Sequence, residues 1–380
     1  MRDISEARSK RILVTGAAGF LGSFLCERLL TDGHSVLGID NFSTGSKRKV
    51  SHLLDHPRFD LCQHDVIDPF LSSSGFDEIF NLACPASPLH YQSDPIKTTK
   101  SCVYGMVNML ELAKQHRARI LQTSTSAIYG DPEIHPQPES YKGHVKTSSL
   151  RACYAEGKRC AETLCFDYHR QDGVPVKVAR IFNAYGPRMD PLDGRVISNV
   201  IVRALQDEDI TIYGDGCQTR SFCFVDDLID GLVSMMATSD DVIGPFNLGN
   251  PEEITILELI NLVVEATGSR SKIVFLTPLE DDSLRRCPEV DLTKKQLNWS
   301  PTMPLRIGLM ETISYFDELL RDGAATWASN DDTDGLLARP QHANQAGKVA
   351  RFPLIRRSQV ALTADTTIDP TSNSSCEAPR

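Results

Sequence analysis

Tyr154 and Lys158 stand four residues apart in Cys153-Tyr154-Ala155-Glu156-Gly157-Lys158-Arg159. On a helix that spacing stacks the two side chains on one face. A lysine ammonium beside a phenol favours the phenolate and is expected to lower the tyrosine pKa. A phenol with a pKa near 10 is a poor base at neutral pH, whereas a lowered one can take a proton from a sugar hydroxyl. Taken alone, the spacing also fits any amphipathic surface helix.

A second group of residues gives the pair something to act with. The apolar run Arg11 to Thr15 leads into Gly16-Ala17-Ala18-Gly19-Phe20-Leu21-Gly22 and then a helix-like stretch, Ser23 to Leu30. In such a turn Gly16 permits the tight bend, Gly19 lets the backbone approach a pyrophosphate, and Gly22 allows close helix–strand packing, with the helix N-terminus facing the anion. The next apolar run, Ser35 to Ile39, ends in Asp40, about 20 residues on, where a carboxylate grips an adenosine ribose. An acid there repels a 2′-phosphate, so NAD is expected rather than NADP. Asn41, Ser43 and Thr44 offer further polar contacts, and Lys47 and Arg48 are the opposing signal.

These residues require a scaffold. Strand-like segments at Asp77 to Leu82, Arg119 to Thr123 and Pro175 to Ile181 alternate with helix-like ones at Pro95 to His116 and Cys153 to Gln171. The rhythm predicts an α/β fold, a Rossmann-like doubly wound parallel sheet that binds ligands beyond the carboxyl ends of its strands. Residues 11–182 are expected to form the NAD-binding domain. Residues 183–322 are expected to form a smaller C-terminal α/β substrate domain, with elements at Val196 to Leu205, Ile210 to Tyr213, Asp226 to Met236, Ile256 to Thr267 and Leu305 to Leu320. Phe246 to Gly249 is read as a strand returning to the main sheet. Residues 1–10 are an N-terminal extension, and 323–380, lacking apolar periodicity, are expected to be a disordered tail. Within that tail Arg351 to Arg357 is a docking-motif candidate.

Bulk properties exclude several classes. The 380 residues carry a net charge of −10, which argues against a nucleic-acid groove. No apolar run reaches the length of a membrane span, and the first ten residues lack the apolar core of a signal peptide. The eleven cysteines show no zinc spacing, so no metal is expected. Cys26, Cys84 and Cys160 read as reduced core thiols, which points to the cytoplasm.

Further segments carry a family resemblance: Asn81 to Pro88, Asp94 to Thr98, Tyr129 to Pro132, Cys153 to Arg159, Ala179 to Met189, Asp193 to Val196 and Asn247 to Pro251. Over roughly residues 10–320 the chain resembles the extended short-chain dehydrogenase/reductase superfamily, and within it the UDP-glucuronate decarboxylases, or UDP-xylose synthases. The resemblance implies Tyr154 as base, Lys158 as its support and Thr125 as a partner in the proton network. It implies a cofactor set of Gly16, Gly19, Phe20, Leu21, Gly22, Asp40, Asn41, Ser43, Thr44, Asp65, Val66, Leu82 and Ala83, with Tyr154 and Lys158. For the substrate it implies Lys100, Asn183, Arg188, Arg195, Tyr213, Arg220 and Arg286, and it implies a homodimer built on helices 95–116 and 153–171. Simpler readings stand beside these: Lys100 as a solvated lysine, Asn183 as a turn cap, Arg195 and Arg286 as surface ion pairs, and Thr125 as a loop hydroxyl bonding its own backbone.

The implied reaction is C4 oxidation of UDP-glucuronate, decarboxylation and C4 re-reduction to UDP-xylose. Ala127 departs from the pattern, because the family usually places a glutamate there. Cys102 stands where the family commonly has Asn, and Lys142 with Lys146 to Ser149 replaces a Trp-Gly-x-Val-Asn-Pro type loop. Ala127 favours the alternative of a UDP-sugar 4-epimerase or other 4-keto-forming enzyme, and leaves open a catalytically silent NAD-binding regulatory member.

Overall fold

The computed structural model describes residues 9–277 and 285–321. The expected tail and its Arg351 to Arg357 patch lie outside these residues. In chain order the strands are β1 (Arg11–Thr15), β2 (Ser35–Asp40), β3 (Phe59–Gln63), β4 (Glu78–Asn81), β5 (Arg119–Thr125), β6 (Val176–Ile181), β7 (Ala184–Tyr185), β8 (Ile210–Tyr213), β9 (Thr219–Ser221), β10 (Cys223–Phe224), β11 (Phe246–Leu248), β12 (Glu253–Thr255), β13 (Ile273–Leu276) and β14 (Arg285–Arg286). The helices are α1 (Phe20–Thr31), α2 (Pro88–Ser93), α3 (Pro95–His116), α4 (Ala152–Asp172), α5 (Val196–Leu205), α6 (Val225–Met236), α7 (Ile256–Thr267), α8 (Asp291–Leu297) and α9 (Leu305–Arg321).

Seven strands form one parallel sheet in the order β11-β6-β5-β4-β1-β2-β3. The order reverses between β1 and β4, which opens the ligand crevice at their carboxyl ends. Helices on both faces explain why β1, β4 and β6 are buried along nearly their whole length. Ile12, Val14, Phe80 and Leu121 point to one side, with Leu25 and Leu29 of α1 and Leu228 and Leu232 of α6. Leu13, Ile79, Ile120 and Val178 point to the other, with Met106, Met109 and Leu110 of α3 and Ala161 and Cys165 of α4.

Most boundaries follow the sequence reading, and the departures have local causes. α1 begins at Phe20 rather than Ser23, because Gly19 in extended backbone is its N-cap and the glycine turn itself starts the helix. β5 runs on to Thr125, since its pairing with β6 continues to Thr125 opposite Ile181. β4 is shorter than expected because Asp77 and Leu82 fall outside the strand. Phe246–Leu248 does return to the sheet, parallel to β6. Cys26 is a buried free thiol, but Cys160 is exposed on α4 and is not a core residue.

A buried polar chain ties three strand ends together. The Thr15 hydroxyl donates to Asn81 Oδ1 at 2.7 Å, Asn81 Nδ2 donates to Gln122 Oε1 at 2.7 Å, and Gln122 Nε2 donates to the Thr123 carbonyl at 2.9 Å. The same Thr15 oxygen accepts from the amides of Leu82 and Ala83 at 3.1 and 3.0 Å. The segment after β4 is thereby held against the glycine turn.

Candidate active site

The glycine turn closes on itself. Gly16 has φ +69°, and a Cβ there would stand 3.1 Å from Ala83 N and Cα. Gly19 N donates to Gly16 O at 3.0 Å. A Cβ on Gly22 would fall 2.0 Å from that oxygen, so Gly22 makes room for the turn at the end of β1. Phe20 and Leu21 form the first turn of α1.

Asp40 ends β2 with its carboxylate buried. It accepts from Ala18 N at 3.0 Å and Phe42 N at 2.8 Å. Burial pushes this carboxyl above its ordinary value, against the pull of those amides and of Lys49. Gly45 lies over it; a Cβ there would meet Oδ1 at 2.8 Å. Asn41 donates to Asp65 at 3.0 Å and accepts from Ser43 N at 3.0 Å. Burial raises the Asp65 carboxyl, but hydrogen bonds from Lys97 and Asn41 outweigh it and leave it below the usual carboxylate range. Asn108 Nδ2 donates to Val66 O at 2.9 Å, which fastens the loop after β3 to α3. Thr44 sits in the same loop, half-buried.

Tyr154 and Lys158 occupy one face of α4 and meet the end of β5. Lys158 is buried, donates to Thr123 O at 2.8 Å, and lies 6.0 Å from the Tyr154 ring centroid. The Thr125 hydroxyl is hydrogen-bonded to Tyr154 and also accepts from Ala127 N at 3.1 Å, within its own loop. The expected lowering of the phenol pKa needs correction. Burial of the hydroxyl raises Tyr154 above its ordinary value, and Lys158 and Thr125 pull it down only in part. Spacing reveals the lysine but not the desolvation that opposes it.

The substrate candidates divide. Arg286 of β14 pairs in register with Arg220 of β9, and parallel in-register residues share a sheet face. Arg286 Nη2 donates to Gly130 O at 3.3 Å. Arg195 is the N-cap of α5 and pairs with buried Asp193 at 3.3 Å. Asn183 Nδ2 donates to Ser221 O at 2.9 Å, reaching across to β9 rather than capping its own turn. Lys100 is exposed on α3, and Tyr213 is half-buried at the end of β8. Arg188 is drawn to α1, where it donates to Glu27 at 2.6 Å and lies 4.2 Å from the Phe24 ring centroid.

Three features escaped the sequence reading. Tyr91 of α2, 5% exposed, stacks on Tyr154. The charges of Arg151, Arg286 and Arg195 act on Tyr91, against the burial that raises its phenol. Glu162, one turn beyond Lys158, makes a buried bidentate pair with Arg180 of β6. The i,i+4,i+8 spacing of Tyr154, Lys158 and Glu162 was the available signal for the last.

The model of the NAD dependent epimerase/dehydratase family matches residues 12–249. UDP-glucuronic acid decarboxylase 1 of Danio rerio is 52% identical over 321 residues, 84% of this chain and 76% of that protein. The chain belongs to the NAD dependent epimerase/dehydratase family, on its UDP-glucuronic acid decarboxylase branch. UDP-glucuronic acid decarboxylase 1 of Arabidopsis thaliana is 52% identical over 306 residues, 80% of this chain and 69% of that protein. Among solved structures, the UDP-glucuronic acid 4-epimerase from Bacillus cereus in complex with UDP-glucuronic acid and NAD has a TM-score of 0.75 at 29% identity, covering 81% of this chain and 99% of that one. NAD is the cofactor of this family, and the residues present fit it: a positive-φ Gly16 where a side chain would crowd Ala83, a helix N-terminus at Gly19 and a buried Asp40. Among the described residues no group of His, Cys, Asp and Glu is arranged to hold a metal, and no helix is long and apolar enough to cross a membrane.

Proposed function

We propose that this chain converts UDP-glucuronate to UDP-xylose. The reading is carried by one juxtaposition: Tyr154, grouped with Lys158 and Thr125, stacks on Tyr91, on which the charges of Arg151, Arg195 and Arg286 act, in a protein whose net charge is −10. Arg151, Arg195 and Arg286 suit a substrate bearing both a carboxylate and a diphosphate, and Arg220 stands beside Arg286. In this reading residues 11–182 hold the cofactor and residues 183–322 the sugar nucleotide, with Lys100, Asn183 and Tyr213 lining the substrate and Arg188 supporting α1 behind it.

NAD supplies a hydride acceptor and donor for C4 of the sugar. Tyr154 takes the 4-hydroxyl proton, and Lys158 and Thr125 stabilise the phenolate it must form. The C4 ketone stands β to the carboxylate, so the arginines have only to hold that carboxylate while CO₂ leaves and the enolate takes a proton from solvent at C5. Tyr154 then returns its proton to the C4 oxygen as the alcohol is restored.

Ala127 favours a second reading, a UDP-sugar 4-epimerase, because no carboxyl stands at that place. Product identification separates the two: release of CO₂ with UDP-xylose supports decarboxylation, whereas a retained carboxylate with inverted C4 supports epimerisation. NAD retention without turnover on a panel of UDP-sugars points to a silent member. A homodimer through α3 and α4, which pack along each other and leave Tyr104 and Cys160 exposed, belongs to the same reading, as does a cytoplasmic setting. Light scattering of the purified chain tests the dimer.

A further inference from the structure

Two free thiols meet at the floor of the site. Cys84 Sγ, on the loop after β4, lies 3.2 Å from Cys102 Sγ on α3. We propose that Cys84 and Cys102 form a reversible disulfide that switches the site off, with hydrogen peroxide as the oxidant.

A disulfide bond is about 2.05 Å long, so the two sulfurs need to close by only ~1.2 Å. The surroundings favour a reactive sulfur. The hydrogen bond from Cys84 and the charge of Lys158 hold the Cys102 thiol below its ordinary value despite burial, while the same bond and burial push Cys84 up. Thiolate is the form that reacts with peroxide, and whichever sulfur becomes a sulfenic acid has the other in contact to displace its oxygen. Overall two thiols and one hydrogen peroxide give one disulfide and two waters: each sulfur loses one electron, and both peroxide oxygens leave as water with the two thiol protons. A dithiol reverses the step by exchange, becoming a cyclic disulfide itself. The resemblance places Asn rather than cysteine at position 102, so the fold does not require this pair.

The closure has a defined direction. Gly157, next to Lys158, lies directly on Cys102: a Cβ on Gly157 would stand 2.9 Å from Cys102 Cβ and 3.1 Å from its Sγ. Cys102 therefore has no slack towards α4, and the Ala83–Cys84 segment must be drawn to α3. That segment is also the wall of the glycine turn, with Ala83 bonded to Thr15 and packed on Gly16. Moving it disturbs the nucleotide site and the floor under Tyr154 together.

The test uses the reduced full-length chain, titrated with hydrogen peroxide, quenched by alkylation and mapped by peptide mass spectrometry. The expected result is a peptide pair joined through Cys84 and Cys102, lighter by two hydrogen atoms. It should accumulate in step with at least a ten-fold loss of turnover and a weakened affinity for NAD, both restored by dithiothreitol. Cys84→Ser and Cys102→Asn, each compared with itself before and after peroxide, should lose the response. Only the turnover arm rests on the proposed decarboxylase reading; the cross-link and NAD affinity are read without substrate, so a chain inert towards UDP-glucuronate that still cross-links and loses NAD refutes that reading and not this one. Separate alkylation of Cys84 and Cys102 at doses that oxidise other thiols overturns the proposal. So does a cross-link that leaves turnover and NAD affinity unchanged, or a Cys102→Asn chain as sensitive as its parent.

Discussion

The ring of Tyr91 lies parallel to the ring of Tyr154, with 5.2 Å between centroids and 2° between planes. Tyr91 is fixed by its own backbone, whose carbonyl accepts from Thr98 Oγ1 at 3.3 Å and from Cys153 Sγ at 3.4 Å. It therefore sets the orientation of the Tyr154 ring. An aromatic pair contributes about 0.5–1.5 kcal/mol, so Tyr91→Ala is expected to lower kcat roughly 2–10-fold. Tyr91→Phe keeps the stack and should keep most of kcat. Steady-state kinetics on both variants checks this; equal losses would show that the hydroxyl, not the ring, matters.

Tyr154→Phe removes the proposed proton acceptor and should cost about 10²–10⁴-fold in kcat, with NAD affinity retained by calorimetry. Lys158→Met tests the electrostatics. The proposed mechanism requires the deprotonated phenol, and Lys158 pulls its pKa down against burial. Without the lysine the rising limb of the pH–rate profile should move to higher pH, and a limb that stays in place would contradict the assigned support.

Gly16→Ala should weaken NAD binding more than ten-fold while the chain stays folded. The position has φ +69°, and the new methyl would press on Ala83 at 3.1 Å. Fluorescence titration with NAD, beside circular dichroism of the variant, decides it.

Glu162 and Arg180 form a buried pair, with Arg180 Nη1 also donating to Tyr129 Oη at 3.0 Å and to the Glu139 carbonyl at 2.8 Å. Removing one partner of such a pair strands the other charge, so Glu162→Gln should destabilise the fold by about 3–5 kcal/mol in urea unfolding.

Lys177 is buried and donates to Thr238, Ser239 and Val242, with no carboxylate among these partners. Burial, helped by the charge of Arg119, lowers its pKa to about 8 from 10.5. The unfolded chain then binds more protons than the folded one between those values. Relative to Lys177→Met, the parent chain should gain stability as pH rises from about 8 to about 10.5 and show no further change in that difference above this range. Chemical denaturation at several pH values measures it.

Much of this arrangement is legible before any coordinates. The bounds of β1, α3, α5, α7 and β8 can be read from apolar runs and their punctuation, and Gly16, Asp40, Tyr154 and Lys158 announce themselves by spacing within one or two elements. Tyr91 and Arg151 do not, because their significance arises only when α2 and the start of α4 fold over the same strand ends. Glu162 has a visible helical spacing, but its partner Arg180 lies on a strand whose register no local pattern fixes. The Tyr154 phenol shows the same limit: the neighbouring charge is in the sequence, and the competing loss of water is a property of the packed site.

The Thr123 carbonyl receives two donors, Gln122 Nε2 at the end of the chain that starts at Thr15, and Lys158 Nζ. One oxygen is thus the common anchor for the chain that reaches the glycine turn and for the lysine one turn beyond Tyr154. A lateral slip of β5 against β4 would loosen both attachments at once, so the spacing between cofactor cradle and proton acceptor is gauged by the interior of the sheet and not by the loops above it.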